Sequence, residues 1–565
     1  MGDISERRGR LDRRRFLGVA AAGAAGLAVG VVAACDTVTT DTDTGTAEEP
    51  ARTGTGTPHP ADAAERSRPG SPDWRIRSQG PPDAVLGYTD RVSVLPEEEF
   101  GLHVSTTAPG FRVSAYRVGW YGGAQARLVW RSERIPGRAQ RGPRDARLVR
   151  ATQTVRADWD RTLTVRAAGW PEGAYLLRLD AENGHQRYVP LIVRSLAGAG
   201  RTVLAHAPAT WQAYNLWGGR SLYEGPNGRY GTRSLAVSFD RPYDRNGAEK
   251  FLVYERAAVV LAERLGLPLA YTTGPDIHAD PAVLRGAAAL VSLGHDEYWT
   301  PEQRRHFTEA RDAGTNLVFL GANTCYRRIR LEGPKGPAGP QRHREPDDAM
   351  GADGKNPGNA RTVVCYKTDY ANDPYLVQHR TMVTTDFRQP PAADPESTLT
   401  GVLYEGFPVD APYVVHSADH WVFEGTGVRP GDSFAHLVGV EYDRVTPEAP
   451  TPSPLEIVAH SPLTCKGRRS HADSAYYTAP SGAGVFASGT MRWVEALMAG
   501  TRDNGRNHGL DRRTGAFVTR TTENVLRAFA QGPAAHHRPA PRDNVRTVYG
   551  RAAGAPGDRA TAASG

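Results

Sequence analysis

The chain has 565 residues, of which 39% are hydrophobic, so it can bury more than one core and is neither fibrous nor wholly disordered. A prior of about 150 residues per domain predicts two or three domains. The net charge of +7 comes from arginine more than lysine, and no basic cluster with interleaved aromatic residues follows the N-terminal segment. We therefore expect no nucleic-acid partner.

Residues 1–35 predict an export signal. Arginines crowd in front of an uncharged, Ala/Gly-rich run from Leu17 to Ala34, the order of a charged and then an apolar signal region. Asp12-Arg13-Arg14-Arg15-Phe16-Leu17 resembles the motif read by the twin-arginine translocase, which exports folded proteins. The run ends in Val32-Ala33-Ala34-Cys35, which resembles a lipobox. We predict a lipid anchor on Cys35 that holds the protein outside the membrane, with plain cleavage and secretion as the alternative.

The signal is followed first by a predicted tether and then by a predicted β-sandwich. Residues 36–83 are rich in Thr, Gly, Pro and charge, which predicts a disordered tether. Residues 84–197 show short runs with period-two alternation between turn residues, which predicts an immunoglobulin-like β-sandwich. The runs lie at 91–95, 100–104, 111–118, 163–165, 174–179 and 187–193.

Residues 198–532 alternate buried strands with amphipathic helices, which predicts an α/β domain with a mainly parallel sheet. Thr300 and Pro301 predict a helix start and Gly314 its end. A polar insertion near 334–373 is predicted to be a loop over the site, and residues 533–565 a disordered tail. The predicted strands lie at 202–206, 287–293, 316–320, 437–440 and 484–488, and another helix at 249–265.

Polar residues follow the predicted parallel strands, where ligands bind in open α/β sheets. The turn after residue 293 carries His295, Asp296 and Glu297 where acyl-transfer hydrolases of related shape carry serine or cysteine. Imidazole and carboxylate are suited to metal binding or general base catalysis instead. The segments 210–219 and 321–326 follow two further strands.

Several ordered motifs, spread over about residues 85 to 500, resemble the large (β) subunit of N,N-dimethylformamidase and its exported relatives. The motifs are Tyr116-Arg117-Val118-Gly119-Trp120-Tyr121-Gly122-Gly123, Ala213-Tyr214-Asn215-Leu216-Trp217-Gly218-Gly219, Ser238-Phe239-Asp240-Arg241-Pro242-Tyr243, Gly294 to Trp299, and Gly321-Ala322-Asn323. The resemblance implies an immunoglobulin-like sandwich followed by a glutamine-amidotransferase-like α/β domain. It also implies an amidohydrolase that cleaves a small or peptide-like amide with metal-activated water.

The resemblance further implies a mononuclear ferric ion held by two tyrosines and a glutamate. The glutamate corresponds to Glu297, the first tyrosine to Tyr214 and the second to Tyr243, with Tyr254 as the alternative. Phenolate and carboxylate are hard donors that suit Fe(III). On residue type alone, Tyr214 and Tyr243 are also compatible with ordinary buried aromatics, and Glu297 with a carboxylate that stabilises a helix start.

Three more residues acquire roles from the resemblance. His295 corresponds to a group that supports the metal or activates water, and Asn323 to one that holds the substrate carbonyl or the developing oxyanion. Glu441 corresponds to a further catalytic glutamate. The known enzyme works with a small partner subunit, and whether this chain needs one, or forms a homo-oligomer, stays open.

Two other functions remain open from the sequence. One is a non-catalytic envelope protein that binds a polysaccharide or a peptidoglycan component by aromatic stacking. Its stacking residues would be Trp120, Trp211, Trp217 and Trp299. The other is a cysteine hydrolase that uses Cys325 with His295. Cys325, Cys365 and Cys465 also allow one disulfide, without indicating which pair forms it.

Overall fold

The computed structural model describes residues 64–333, 361–377, 379–500 and 508–550. The predicted signal, the lipidation site at Cys35, residues 36–63 of the tether, residues 334–360 of the insertion and residues 551–565 of the tail lie outside the described residues. Within the described part of the chain, no helix has the length and apolar character to cross a bilayer.

The N-terminal unit consists of β-strands in two principal sheets. Its strands are β1 (Val85–Thr89), β2 (Ser93–Val94), β3 (Glu99–Thr106), β4 (Gly110–Val118), β5 (Ala126–Arg131), β6 (Ile135–Pro136), β7 (Arg147–Val149), β8 (Thr154–Arg156), β9 (Leu163–Arg166), β10 (Gly173–Ala181) and β11 (Gln186–Val193). One sheet has the order β1-β3-β9, and the other has the order β2-β11-β10-β4-β5, with β6 beside β4. The strands predicted from alternation are confirmed, and β1, β5, β6, β7 and β8 are additions.

Both faces of the larger sheet are buried. Val113 and Leu177 face the smaller sheet and share a core with Phe100, whereas Tyr116 and Leu176 face the next domain and belong to its core. Because successive side chains of a strand point to opposite faces, β4 and β10 can bury nearly every residue. The sandwich is therefore packed firmly onto the α/β domain.

The second domain is built on a seven-stranded sheet with the order β14-β12-β15-β17-β26-β25-β24. Neighbours from β14 to β26 are parallel, and β25 and β24 are antiparallel, so the predicted mainly parallel sheet is confirmed. Its strands are β12 (Thr202–His206), β14 (Leu269–Thr273), β15 (Ala289–Ser292), β17 (Asn316–Phe319), β24 (Leu455–Cys465), β25 (Arg468–Thr478) and β26 (Gly484–Ala487).

The other strands form small sheets around this one. They are β13 (Ala236–Ser238), β16 (Tyr298–Trp299), β18 (Arg327–Arg328), β19 (Arg330–Glu332), β20 (Thr362–Val364), β21 (Thr385–Asp386), β22 (Leu403–Val414) and β23 (Ser433–Arg444). The strand predicted at 437–440 lies in β23, which pairs with β22 rather than with the main sheet.

Helices cover both faces of the main sheet, as expected when parallel strands are joined by crossovers. They are α1 (Pro208–Tyr214), α2 (Glu249–Tyr254), α3 (Arg256–Arg264), α4 (Gly274–Ala279), α5 (Pro301–Asp312), α6 (Ser397–Thr400), α7 (Trp493–Ala496), α8 (Arg512–Phe529) and α9 (Val545–Tyr549). The predicted start of α5 is confirmed, because Pro301 is its first residue and the Thr300 hydroxyl accepts a hydrogen bond from the Gln303 backbone N–H at 3.1 Å. The helix predicted at 249–265 is divided at Glu255 into α2 and α3.

The final part of the predicted tether, residues 64–83, is packed against the sandwich instead of being disordered. Trp74 is 3% exposed, and its indole N–H donates to the Ala124 carbonyl at 2.9 Å. Glu65 is also buried and forms an ion pair of 2.7 Å with Arg127. A single large aromatic side chain and a paired carboxylate are enough to hold a segment whose average composition is that of a linker.

The described part of the predicted tail, residues 533–550, is likewise held to the α/β domain. Arg542 forms ion pairs with Glu456 at 2.7 Å and Asp419 at 2.8 Å. Val548 and Tyr549 of α9 pack against the core. The structure thus shows a multidomain protein of mixed sheets and helices, while the immunoglobulin-like and amidotransferase-like assignments stay predictions.

Candidate active site

Loops at the carboxyl ends of three parallel strands meet at one edge of the main sheet. Tyr214 ends α1, the helix that follows β12, Glu297 follows β15, and Asn323 follows β17. The order β12-β15-β17 makes these strands direct neighbours. The side chains that the sequence placed after the strands are therefore brought to one place.

Two glycines allow these loops to approach each other. A Cβ atom on Gly294 would lie 2.2 Å from the Tyr254 carbonyl oxygen, and one on Gly321 would lie 2.3 Å from the Gly294 carbonyl oxygen. Any other residue at either position would force the backbone apart. Asn323 has a φ of +60°, a left-handed conformation in which asparagine is enriched.

The centre of the site is a cluster of three oxygen-bearing side chains. The Tyr214 hydroxyl donates to a Glu297 carboxylate oxygen at 2.6 Å, and the Tyr223 hydroxyl lies 2.6 and 2.7 Å from the two oxygens of the same carboxylate. The two hydroxyl oxygens are 2.9 Å apart, and the rings stack with centroids 4.4 Å apart. We call Tyr214, Tyr223 and Glu297 the oxygen cluster.

Positive groups surround the carboxylate of this cluster. Burial alone would raise the pKa of Glu297, but the hydrogen bond from His295 and the charges of Lys367 and Arg327 outweigh it and hold the pKa far below its usual range. The Lys367 ammonium lies 3.2 Å from the centroid of the Tyr223 ring, and Arg327 Nε lies 3.4 Å from Glu297 Oε1. Glu297 is thus a buried anion at neutral pH.

The two tyrosines are neutral in this arrangement. Burial raises the pKa of Tyr214 and of Tyr223 well above the ordinary value, and the neighbouring Glu297 charge raises both further. The charge of Glu441 acts in the same direction on both tyrosines. A cation placed among these oxygens would reverse this effect and favour phenolates.

His295 lies beside the oxygen cluster. Its Nε2 is 3.4 Å from Glu297 Oε2 and 3.5 Å from the Tyr214 hydroxyl. Burial lowers the pKa of His295, so the ring is neutral at pH 7. If Nε2 carries the proton and donates to Glu297, the Nδ1 lone pair is left, and Nδ1 has no hydrogen-bond partner among the described residues.

Asn323 and Glu441 form a second polar pair at the same place. The Asn323 side-chain N–H donates to Glu441 Oε2 at 2.6 Å, and its backbone N–H donates to Asp443 at 2.8 Å. The Asn323 side-chain oxygen is buried and accepts no hydrogen bond from the described residues. Burial raises the pKa of Asp443 to about 7. The amide of Asn323 thus orients Glu441 and keeps an acceptor available.

The structure does not bring Tyr243 to the oxygen cluster. Its ring packs against Trp211, with centroids 6.3 Å apart, and its hydroxyl bonds to the side chain of Gln212. Tyr254, the alternative, stacks edge-on against His295 with centroids 5.4 Å apart. The tyrosine that joins Tyr214 and Glu297 is Tyr223, which the sequence did not single out.

Tyr223 lies in an irregular loop that follows α1, nine positions after Tyr214. Nothing in its local sequence distinguishes Tyr223 from a tyrosine in an ordinary surface loop. Only the fold identifies Tyr223 as a site residue. The Leu222 backbone N–H donates to the Ala213 carbonyl at 3.0 Å, and this hydrogen bond holds the loop against the end of α1, beside Tyr214. Lys367 and Arg327 were also missed, since Lys367 follows β20 and Arg327 lies in β18, neither of which is a main-sheet strand.

The residues that the alternative functions require are buried. Trp211 and Trp217 are each 5% exposed and Trp299 is fully buried, which leaves only Trp120 partly accessible for stacking. Cys325 is fully buried, and burial raises the pKa of its thiol, so a thiolate nucleophile is disfavoured. Cys325, Cys365 and Cys465 are all free, so the allowed disulfide is absent among the described residues.

A cavity of about 170 Å³ opens beside the oxygen cluster. Tyr214 lines it together with Trp211, Tyr243, Lys250 and Phe251. Lys250 places its ammonium 4.2 Å from the centroid of the Tyr214 ring. The cavity therefore reaches the cluster through Tyr214, and Tyr243 contributes to its wall.

The donor set of the oxygen cluster fits a hard metal ion. The described residues include no group of three or more His, Cys, Asp or Glu side chains arranged for a metal, so the cluster with its two tyrosines is the candidate. Around it, the Tyr298 hydroxyl and the Lys367 ammonium are buried without a hydrogen-bond partner among the described residues. Buried polar groups are normally satisfied, which indicates that a further polar group completes this site.

Fold and site together define a multidomain β-rich protein with an oxygen-donor centre at the edge of a parallel sheet. The chain belongs to the family described as N,N-dimethylformamidase beta subunit-like, C-terminal, whose model matches residues 112–507. No curated protein matches the chain. Among solved structures, the chain is matched with a cycloisomaltooligosaccharide glucanotransferase of Paenibacillus sp. in complex with cycloisomaltoheptaose. That match has 9% identity over 79% of this chain and 81% of the other, and its TM-score of 0.17 defines no common fold.

Proposed function

We propose that this protein is a metal-dependent amidohydrolase that cleaves the C–N bond of a small amide. In the balanced reaction, water adds its hydroxyl to the acyl carbon and its proton to the departing amine, which gives a carboxylic acid and an amine. The observation that carries the proposal is the convergence of Tyr214, Tyr223 and Glu297, with hydroxyl and carboxylate oxygens 2.6 to 2.9 Å apart. Membership of the dimethylformamidase-like family supports the reaction class.

Tyr214, Tyr223 and Glu297 would hold a ferric ion, which supplies Lewis acidity toward water and an amide carbonyl when bound. The chain supplies the other functions. Glu441, fixed by Asn323 at 2.6 Å, is the general base that takes a proton from water. The buried Asn323 oxygen accepts a hydrogen bond from the N–H of the departing amine, a role that differs from the expected contact with the carbonyl.

A hydrogen bond from His295 and neighbouring positive charge keep the Glu297 carboxylate in its charged form throughout. His295, Lys367 and Arg327 together hold the pKa of Glu297 low, so Glu297 does not compete for the proton that Glu441 receives. The two carboxylates thus have separate roles, which their different environments make possible. His295 is a positioning residue in this scheme, because its contacts are with Glu297 and Tyr214.

Iron analysis combined with an amide screen tests the proposal. Mature protein is purified from a host with a working twin-arginine system, iron per chain is measured, and amine release is followed for tertiary and secondary amides, including dimethylformamide. We expect about one iron per chain. Glu297→Gln should lose both iron and activity, whereas Glu441→Gln should retain iron and lose activity.

Glu448→Gln, a change at an exposed carboxylate, is the matched control and should behave as the unmodified protein. A folded, iron-free protein that hydrolyses none of the amides would refute the proposal. In that case a polysaccharide or peptidoglycan fragment should be tested as a ligand.

The finer assignments complete the proposal. The two packed sheets of residues 84–197 support an immunoglobulin-like sandwich, and the sheet with helices on both faces supports a glutamine-amidotransferase-like α/β domain.

Export by the twin-arginine translocase and a lipid on Cys35 would place the enzyme outside the membrane. Because that route carries folded proteins, the metal site can be filled before export. Rerouting the chain through unfolded export should give iron-free protein.

A further inference from the structure

The position of Tyr214 depends on a short helix. α1 has seven residues, Pro208–Tyr214, and helices of that length are at best marginally stable by themselves in water. Its N-cap residue is Ala207, whose side chain has no oxygen to accept a hydrogen bond from the first turn. The direction of α1, and with it the place of the Tyr214 hydroxyl, is therefore fixed by contacts from other elements.

Glu255 supplies the contacts at the start of α1. Its Oε1 accepts hydrogen bonds from the Ala207 backbone N–H at 3.2 Å and from the Trp211 indole N–H at 2.7 Å. Its Oε2 lies 2.6 Å from Nδ1 of His206, the last residue of β12. A carboxylate accepts hydrogen bonds and donates none, so Nδ1 carries the proton of the His206 ring. Three donors thus hold one carboxylate, and two of them belong to the start of α1.

The chain interrupts a helix at the residue that carries this carboxylate. Glu255 stands between α2 and α3 with a φ of −130°, and it is 1% exposed. Its backbone N–H still donates to the Phe251 carbonyl at 3.0 Å, and its carbonyl accepts from the Val259 N–H at 3.1 Å. A glutamate is almost never fully buried unless it is paired. The three donors are therefore the contacts that make this buried position stable.

α1 also holds the backbone of Glu297. The buried Thr210 hydroxyl oxygen accepts hydrogen bonds from the backbone N–H groups of Glu297 at 3.1 Å and Tyr298 at 3.3 Å. At the end of the same helix, the Tyr214 hydroxyl donates to the Glu297 carboxylate at 2.6 Å. A shift of α1 would therefore displace two members of the oxygen cluster together.

We propose that Glu255 is a positioning residue for the metal site, because it fixes α1 and α1 in turn fixes Tyr214 and Glu297. The inference rests on the proposed function, since it concerns the iron that these residues would hold. Glu255 acts through α1, because its hydrogen-bond partners lie in β12 and at the start of α1. Iron affinity thus depends on a carboxylate that is not a ligand.

Glu255→Gln in the mature protein is the direct test. The carboxamide presents an N–H group to one of the three donors, so that contact is lost. Iron affinity should fall about 10- to 100-fold, as it does when residues that support metal ligands are changed. The tyrosinate-to-Fe(III) absorption of the loaded protein should weaken as well, because Tyr214 is displaced.

Glu456→Gln is the matched control. Glu456 is also 1% exposed, and its carboxylate is also held by charge-assisted contacts, with Arg542 at 2.7 Å. It lies in β24, at the far edge of the main sheet from β12. This change should lower the stability of the protein but leave its iron affinity and its absorption unchanged. Equal iron affinity in the two variants would overturn the inference.

Two changes at His206 separate positioning from packing, and they decide the question if Glu255→Gln does not fold. His206→Asn keeps an N–H group near the place of Nδ1 but removes most of the ring, whose centroid lies 5.9 Å from that of Phe251 and 6.3 Å from that of Tyr271. His206→Leu keeps apolar volume and removes the donor. His206→Asn should bind iron about tenfold more tightly than His206→Leu. A role in packing alone predicts the reverse order, which would overturn the inference.

Hydrogen exchange of the metal-free protein tests the first step separately from iron. The amides of α1 should exchange faster in Glu255→Gln than in the unmodified protein or in Glu456→Gln, whereas those of α5 should not change. Unchanged exchange in α1 would overturn the inference. If the unmodified protein binds no iron, the proposed function falls, and the exchange rates alone decide whether Glu255 fixes α1.

Discussion

Replacing Tyr223 with phenylalanine tests which tyrosine completes the oxygen cluster. The change removes a hydroxyl that lies 2.6 and 2.7 Å from the Glu297 carboxylate oxygens and 2.9 Å from the Tyr214 hydroxyl. A hydrogen bond to a charged group contributes about 1.5–3 kcal/mol, so the metal-free protein should lose about 2 kcal/mol of unfolding free energy. Loss of one of three protein donors should weaken iron binding by at least about 100-fold, since even supporting residues contribute 10–100-fold.

Tyr243→Phe is the matched control for this experiment. Its hydroxyl bonds to the neutral side chain of Gln212, so the change should cost about 1 kcal/mol and leave the iron content unchanged. Both variants are compared by urea unfolding of the metal-free protein, by iron per chain, and by the visible absorption of tyrosinate bound to Fe(III). Full iron content in Tyr223→Phe, or equal loss in both variants, would show that the cluster is not the metal site.

Three further predictions concern stability and are each checked by urea unfolding. Arg117 and Glu263 form a buried ion pair of 2.6 Å between the sandwich and α3. Glu263→Gln leaves the arginine buried without its partner and should lower the free energy of unfolding by about 3–5 kcal/mol. Arg117→Met combined with Glu263→Leu removes both charges and should lower it by less than that single change. Trp74→Ala should lower the free energy of unfolding by about 3–5 kcal/mol. If residues 64–83 were a disordered tether, the same change would leave the free energy of unfolding unchanged. Burial, with the charge of His460 adding to it, lowers the pKa of His471, so the neutral ring is favoured in the folded state. That stabilisation is complete above pH about 6.5 and is lost as the pH falls through the lower folded pKa; His471→Gln should reduce this loss, and an unchanged pH dependence would contradict it.

The break between α2 and α3 shows where local patterns stop being sufficient. The run 249–265 has the composition of one helix, but Glu255 has a φ of −130° and divides it. Its buried carboxylate lies 2.6 Å from Nδ1 of His206 and 2.7 Å from the Trp211 indole nitrogen. These partners belong to β12 and α1, so the energy that overrides helix propensity comes from contacts about 45 residues away in sequence.

The difference between local patterns and contacts distant in sequence also separates the site residues that could be predicted from those that could not. Glu297 and Asn323 follow strands of a parallel sheet, and such strands place their following loops at one edge, so pattern alone brings these two residues together. Glu441 was named only through the family resemblance, because it lies within β23, which is outside the main sheet. Its pairing with Asn323 at 2.6 Å depends on how two sheets meet.

Tyr223 and Lys367 show why the charge balance of the site could not be obtained from the sequence. Each lies in a segment with no regular period, and each acquires its role by meeting the other, with the ammonium 3.2 Å from the ring centroid. A buried ammonium without a hydrogen-bond partner among the described residues is unfavourable unless negative charge lies close by. Glu297 provides part of that charge, and phenolate character on Tyr223 would provide more. Burial and the charge of Arg327 lower the pKa of Lys367 well below its usual value, so Lys367 keeps its charge only where neighbouring negative charge compensates for its burial. The ring of Tyr243, packed against Trp211, has no such partner in this role.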